Sequence, residues 1–325
     1  MAMGRSLRRL LGVIAAGAML LPSPATRAET VTIGTVGQAS ANLWPVFIGL
    51  NKGFYAAEDL QVDIVYVQSS AALVQQITAG ALNVCMSTGL VDPLRAIQMG
   101  APIAIVRVEV QAPPYALLAK SSIKSLADLK GKTISLGGAR DITRIYVERM
   151  LAPHGVKPGE FDMVFAGATS ARASALLAGA VDAAILLPPF NFYAEAAGFK
   201  DLGLTIDYAK DLPFSGAVVN VRWANANKAT LQKLLAVHTR SITWFYDERN
   251  RDEAVKILVT ASGLKPVDVE KAYDFFRKGQ FFEPAGQVSR SKLTSLAKAM
   301  ESLGDVQGSI NIDRVFLPGV TQVSD

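Results

Sequence analysis

Two periodicities alternate along this chain. Val31-Thr32-Ile33-Gly34-Thr35 alternates with the period of a strand, and Val36 to Ala41 is a small-residue loop. A helix is predicted from about Asn42 to Lys52, closed by Gly53. Leu60 to Val67 reads as a strand, Ala71 to Thr78 as a helix and Asn83 to Met86 as a strand. Val91 to Met99 then reads as a helix and Ile103 to Val108 as a fourth strand. This βαβαβαβ order implies a mostly parallel sheet covered by helices. Further on, Thr133 to Leu136, Phe161 to Phe165, Val181 to Leu187 and Ala217 to Val221 read as strands. Ile142 to Leu151 and Ala171 to Leu177 read as helices between them. The remainder is mostly helical. In Lys228 to Asp247, the residues Leu231, Leu234, Leu235, His238, Ile242 and Phe245 fall on one face. Ala254 to Val259, Pro266 to Arg277 and Ser291 to Leu303 follow. A chain of 325 residues is long for one core, so two lobes are expected.

The densest candidate chemistry lies at Gly137-Gly138-Ala139-Arg140-Asp141, between a short strand and a helix. The glycine pair lets backbone approach a ligand. Asp141 is the expected N-cap, and the free N–H groups of a helix start favour an anion. Arg140 adds a charge able to grip a carboxylate, sulfonate or phosphate with two bonds. The alternative is an ordinary turn with a solvated arginine. Gln38 and Ser40 also follow a strand and precede a helix, as do Ser87 and Thr88, which is where open α/β sheets bind ligands. Trp44 serves either a ligand or the core. Pro188-Pro189-Phe190 forms another strand-end corner, with Phe190 as an apolar wall or a packing residue.

The formal charge of +5 is concentrated at the N-terminus. Arg5, Arg8, Arg9 and Arg27 lie in a leader without acidic residues, so a chain beginning at Glu29 carries +1. That balance, without a basic stripe, gives no nucleic-acid signature. Leu10 to Leu21 is apolar but shorter than the ~20 residues of a membrane span. Thr26-Arg27-Ala28 is a small-x-small cleavage site, so residues 1–28 read as a signal peptide and the mature protein as exported to the periplasm. The Arg8-Arg9 pair leaves twin-arginine export open. Cys85 is the single cysteine, so no internal disulfide forms. Only His154 and His238 are present, and no metal spacing, nucleophile elbow or phosphate-loop motif occurs. Neither a cofactor nor an enzyme activity is expected.

Phe47-Ile48-Gly49-Leu50-Asn51-Lys52-Gly53-Phe54-Tyr55, followed by Glu58-Asp59-Leu60-Gln61-Val62, resembles the opening of the nitrate/sulfonate/taurine (SsuA-like, NMT1/THI5-like) periplasmic substrate-binding proteins of ABC importers. Gln75-Gln76-Ile77-Thr78-Ala79-Gly80 resembles the family's next segment, with Asn83 where an acidic residue is common. Ser125-Leu126-Ala127-Asp128-Leu129-Lys130-Gly131-Lys132 resembles its opening of the second lobe. The resemblance spans roughly residues 30 to 300 and implies a two-lobed periplasmic binding protein type II fold. Each lobe is then a mostly parallel sheet flanked by helices, joined by a two-stranded hinge. The implied organisation is residues 29–112 in lobe 1, 113–213 in lobe 2 and 214–325 returning to lobe 1. It implies ligand contacts at Gly137, Gly138, Arg140, Asp141, Thr143, Pro189 and Phe190, with Gln38, Trp44, Ser87 and Thr88 across the cleft. Gln111 and Ser215 are expected in the cleft at the hinge. The implied function is capture of a small, anionic solute by a monomer that docks on a membrane permease. A neutral or cationic thiamine-type pyrimidine, walled by Trp44, Tyr115 and Phe190 and held by Asp141, is the alternative, as is a ligand sensor on the same fold.

Overall fold

Each parallel strand needs a crossover long enough to return to the same edge, and helices supply it here. The computed structural model describes residue 1 and residues 29–325; the expected signal peptide lies outside them. The first part of the chain is β1 (Glu29–Val36), α1 (Trp44–Asn51), β2 (Leu60–Val67), α2 (Ser70–Thr78), β3 (Val84–Gly89), α3 (Val91–Gln98) and β4 (Ile103–Val110). The chain then leaves this sheet and builds another: β5 (Ala116–Ala119), β6 (Thr133–Leu136), α4 (Ile142–Leu151), β7 (Asp162–Phe165), α5 (Thr169–Leu177), β8 (Ala183–Leu186), α6 (Phe190–Ala196) and β9 (Lys200–Leu204). After α7 (Ile206–Ala209) it returns as β10 (Ser215–Asn220). The helices α8 (Val221–Ala226), α9 (Lys228–Tyr246), α10 (Arg251–Ser262), α11 (Pro266–Lys278) and α12 (Arg290–Ser302) complete the fold.

The sheets have orders β2-β1-β3-β10-β4 and β7-β6-β8-β5-β9. In the first, β1 pairs in parallel with β2 and β3, and β10 runs antiparallel between β3 and β4. In the second, β6 pairs in parallel with β7 and β8, and β5 runs antiparallel between β8 and β9. The two-lobed α/β fold expected from the sequence is therefore present, each sheet mostly parallel with one reversed inner strand. Segments 111–115 and 205–214 join the lobes. No described helix is long and apolar enough to cross a membrane.

The C-terminal helices enclose Trp44 rather than leaving it at the cleft. Its indole is fully buried, 5.2 Å from the Phe245 ring, 6.0 Å from Tyr273 and 6.4 Å from Phe276. The indole N–H donates to the Ala254 carbonyl at 2.7 Å. Trp44 thus ties α1 to α9, α10 and α11, and the expected ligand contact is corrected: the ring and its polar group are both used inside lobe 1. Replacing Trp44 by Phe strands that buried carbonyl, which costs about 2 kcal/mol. A lowered urea midpoint with unchanged ligand affinity is expected; unchanged stability contradicts the assignment.

Candidate functional site

Between the lobes lies a small cavity of about 50 Å³. Lobe 1 lines it with Val36, Ser40, Asn42, Ser69, Ser70 and Ser87; lobe 2 contributes Gly137, Asp141, Gly167, Thr169 and Arg172, and Tyr115 and Phe214 close it beside the two crossings. Strand ends and helix starts alternate around it because all the parallel strands of a lobe point their C-terminal ends one way.

The basic group in this cavity is Arg172, in the first turn of α5, and Asp141 is the acidic one. Arg172 is 3 % exposed, and its three nitrogens donate to neutral oxygens. Nε reaches the Ile185 carbonyl at 2.8 Å, Nη2 the Thr169 hydroxyl at 2.6 Å, and Nη1 the Gly167 carbonyl. No carboxylate forms a salt bridge with it among the described residues. A guanidinium carries five N–H groups and does not lose its proton, so donors and a full positive charge are left for a ligand. Its Cζ lies 5.8 Å from the Tyr115 ring centroid. Burial raises the Tyr115 phenol, and the Arg172 charge opposes this. Three helices begin at the cavity. Ser69 caps α2 by accepting the Ala72 N–H, and Asp141 caps α4, while α5 begins at Ala168 without a side-chain cap. Their N-terminal dipole ends add to the positive potential.

The glycine turn lies where the sequence analysis put it, with a different division of labour. Asp141 Oδ1 accepts the Thr143 N–H at 2.9 Å and the Thr143 hydroxyl at 2.6 Å, and Thr143 Oγ1 accepts the Gly137 N–H at 2.9 Å. Thr143 is buried and braces the turn from behind. A side chain on Gly137 would run into Asp141 and Arg172, so glycine is what lets this turn reach the cavity. Arg140 is exposed and absent from the lining, its carbonyl accepting a bond from Arg95 Nη2 at 2.8 Å. The arginine that reaches the cavity is therefore Arg172 and not the expected Arg140.

Of the other expected residues, Ser87 lines the cavity, with its Oγ 2.6 Å from the Glu109 carboxylate and 2.8 Å from the Asn42 carbonyl. Thr88 is buried one layer back, its hydroxyl 3.3 Å from that of Ser70. Gln38 is exposed, and neither it nor Gly138 lines the cavity. Pro189 is buried at the start of α6, and Phe190 packs with Leu118, Leu176 and Leu186 inside lobe 2. Gln111 faces away: its side chain donates to the Gln280 carbonyl and its own carbonyl accepts from Lys292. Ser215 is fully enclosed in β10, between β3 and β4. Sequence reasoning missed Arg172, Asn42, Ser69, Ser70 and Thr169. The available signal for Arg172 was a lone basic residue shortly after Gly167, in the first turn of a helix whose first seven residues are otherwise small.

The lobes touch around the cavity. The Ala41 N–H donates to the Pro188 carbonyl at 2.8 Å. Gly167, at φ +72°, packs against the Gln68 carbonyl where any Cβ would overlap it. At the opposite rim, Arg95 and Arg144 reach Asp305 at 3.9 and 3.8 Å. His154 lies outside the site, 3.2 Å from the Tyr208 hydroxyl, and Cys85 is buried in β3. Among the described residues no group of three or more His, Cys, Asp or Glu side chains is placed to hold a metal ion.

Solved structures share this architecture. The alkanesulfonate-binding protein SsuA of Xanthomonas axonopodis pv. citri, bound to MOPS, superposes with a TM-score of 0.73 at 19% identity, over 92% of this chain and 100% of that one. The periplasmic nitrate-binding protein NrtA of Synechocystis PCC 6803 gives 0.65 at 16% identity, over 76% and 70%. The desulfurization enzyme DSZB gives 0.67 at 13% identity, over 90% and 97%. At these identities the likeness is one of fold: the periplasmic binding protein fold expected from the sequence. No curated protein matches the chain. The model of the family described as NMT1/THI5 like matches residues 40–251, which take in every strand of the two sheets after β1 and the cavity lining from Ser40 to Phe214; this chain belongs to that family.

Proposed function

We propose that this protein is the extracytoplasmic solute-binding component of an ABC importer, exported by its leader and acting as a monomer in the periplasm. It captures a small anion between its lobes, of the sulfonate, nitrate, taurine or organic-acid class. It releases that anion to a membrane permease without chemical turnover. The observation that carries this reading is Arg172: a buried guanidinium, neutral partners on all three nitrogens and a free charge facing the cavity. Helix starts and the hydroxyls of Ser69, Ser70 and Thr169 add further donors around the cavity, and the Asp141 carboxylate in its lining is engaged by the Thr143 N–H and hydroxyl. The solute names of the structural neighbours, sulfonate and nitrate, are of the same chemistry. A flat cationic pyrimidine is served less well, because Trp44 and Phe190, two of its expected walls, are used inside the lobes.

Binding acts through closure. A ligand touching both lobes favours the closed form by its differential affinity for it. The contacts of Ala41 with Pro188 and of Gly167 with Gln68 set how closely the lobes can meet.

Calorimetry with ethanesulfonate, taurine, nitrate and benzoate tests the reading: at least one binds at micromolar or tighter Kd, and binding by none of them refutes it. For the anion that binds, Arg172→Lys weakens affinity by about 2 kcal/mol, because a point charge replaces a two-pronged donor. Arg140→Ala changes it by less than about 0.5 kcal/mol, as expected of an exposed charge; the reverse ranking returns the anchor to Arg140. Gly167→Ala places a methyl group against the Gln68 carbonyl and props the lobes apart. It lowers affinity at least tenfold and leaves a larger radius of gyration in saturating ligand, at a folding cost of about 1 kcal/mol for the left-handed backbone. Full compaction in small-angle scattering excludes that role.

A further inference from the structure

Behind the cavity wall lies a chain of buried ionisable groups that the anion contacts leave unused. Ser87 sits at φ +52°, a conformation a serine keeps only where its surroundings hold it. Its single hydroxyl proton faces two acceptors, Glu109 Oε2 and the Asn42 carbonyl. Glu109, on β4, is fully buried, as is His238 on α9, whose Nε2 lies 3.2 Å from Glu109 Oε1. That approach lacks hydrogen-bond geometry, and Glu109 Oε1 and both imidazole nitrogens have no partner. Arg107, on the same strand, gives its donors to Thr239 Oγ1 and to the carbonyls of Leu235, Glu283 and Pro284. Tyr55, next to α1, is the remaining titratable group near Glu109, and its hydroxyl is also unpartnered.

Burial drives the Glu109 carboxyl up to about 7, against the opposing pull of the Ser87 bond and the Arg107 charge. Burial first, and then Arg107, hold His238 well below its usual range, so it offers no compensating charge. Burial also raises the Tyr55 phenol and keeps it neutral. Glu109 is thus the one member of this cluster that changes charge near neutral pH.

We propose that capture of an anion in the cleft is coupled to uptake of one proton by Glu109, acting through Ser87. This rests on the reading of the cleft as an anion site. With Glu109 ionised, the Ser87 O–H is held by the carboxylate, and a negative charge stands directly behind the cavity. When Glu109 takes a proton from solvent, its carboxylic O–H donates to Ser87 Oγ. The Ser87 proton then leaves the carboxylate and is shared between the Asn42 carbonyl and an oxygen of the bound anion, and the repelling charge is gone. Only O–H bonds are made and broken. Glu109 is a positioning residue here, since it touches the ligand only through Ser87.

Linkage fixes the sign. Anion affinity is level below about pH 7 and falls about tenfold per pH unit above it, until the raised pKa of the bound state is passed. Calorimetry of ethanesulfonate at pH 8, in buffers of different ionisation heat, should show about one proton taken up per anion bound. Glu109→Gln, whose amide keeps a donor toward Ser87, should take up none and bind with a flat profile from pH 6 to pH 9. Binding to the wild type without proton uptake overturns the proposal, even if the variant does not fold. A separate infrared titration needs no ligand: a protonated-carboxyl band should fade as pH rises through about 7 and be missing from Glu109→Gln. If the band is absent, the proposal fails while the anion site stands. If the band is present but neither ethanesulfonate nor nitrate, taurine or benzoate binds, the anion reading fails and takes the coupling with it.

Discussion

One strand placement organises this molecule. β10 reaches its place between β3 and β4 only after the chain has left the first sheet and built the second. The second lobe is therefore an insertion between two neighbouring strands of the first, and the chain must cross between lobes twice. Two adjacent crossings resist shear and twist but allow the lobes to open and close. They also set the C-terminal ends of both sets of parallel strands facing each other, so that the loops at those ends line a shared cavity.

Within that frame the electrostatics follow from how Arg172 is held. Taking a guanidinium out of water is tolerable only if its N–H groups are bonded. The carbonyls of Gly167 and Ile185 and the hydroxyl of Thr169 do this without neutralising it. A carboxylate partner would have stabilised the arginine equally and removed its use. Asp141 is in the lining, but its Oδ1 is occupied by the cap of α4 and the Thr143 hydroxyl. The cavity thus sets the Arg172 guanidinium on the lobe 2 side opposite the hydroxyls of Ser69, Ser70 and Ser87 on the lobe 1 side.

The Ser87–Glu109–His238 cluster stands on the opposite wall from Arg172. Lobe 2 presents a charge that never titrates, while lobe 1 presents a hydroxyl whose orientation depends on a group that does. In the proposed coupling, the fixed charge sets the class of ligand and the buried acid sets the conditions under which lobe 1 completes the contact. Placing the titrating group behind the wall keeps it out of water, which is why its carboxyl lies so far above that of a surface glutamate.

Local pattern settled much of the fold. Leu60–Val67, Thr133–Leu136 and Ile142–Leu151 read from periodicity with their observed limits, and Asp141 caps α4 as its position implied. These elements carry their own signals: alternation, helical spacing and a capping side chain all act within a few residues. β5 and β9 were not legible. Ala116–Ala119 is buried on both faces and has no alternation, and Lys200–Leu204 carries a lysine, an aspartate and a glycine in place of an apolar run. What the chain alone determined about its site was the location of the strand ends and the glycine turn. Which side chains enter the cavity was decided by tertiary packing. Trp44 and Phe190 turn into cores because neighbouring helices distant in sequence offer them apolar partners, and Gln111 turns toward the Gln280 carbonyl. Arg140 and Arg172 both stand at helix starts, and nothing local distinguishes them. The carbonyls that hold Arg172 at the cavity come from the loop before α5 and from β8, so its orientation exists only once the second sheet is assembled.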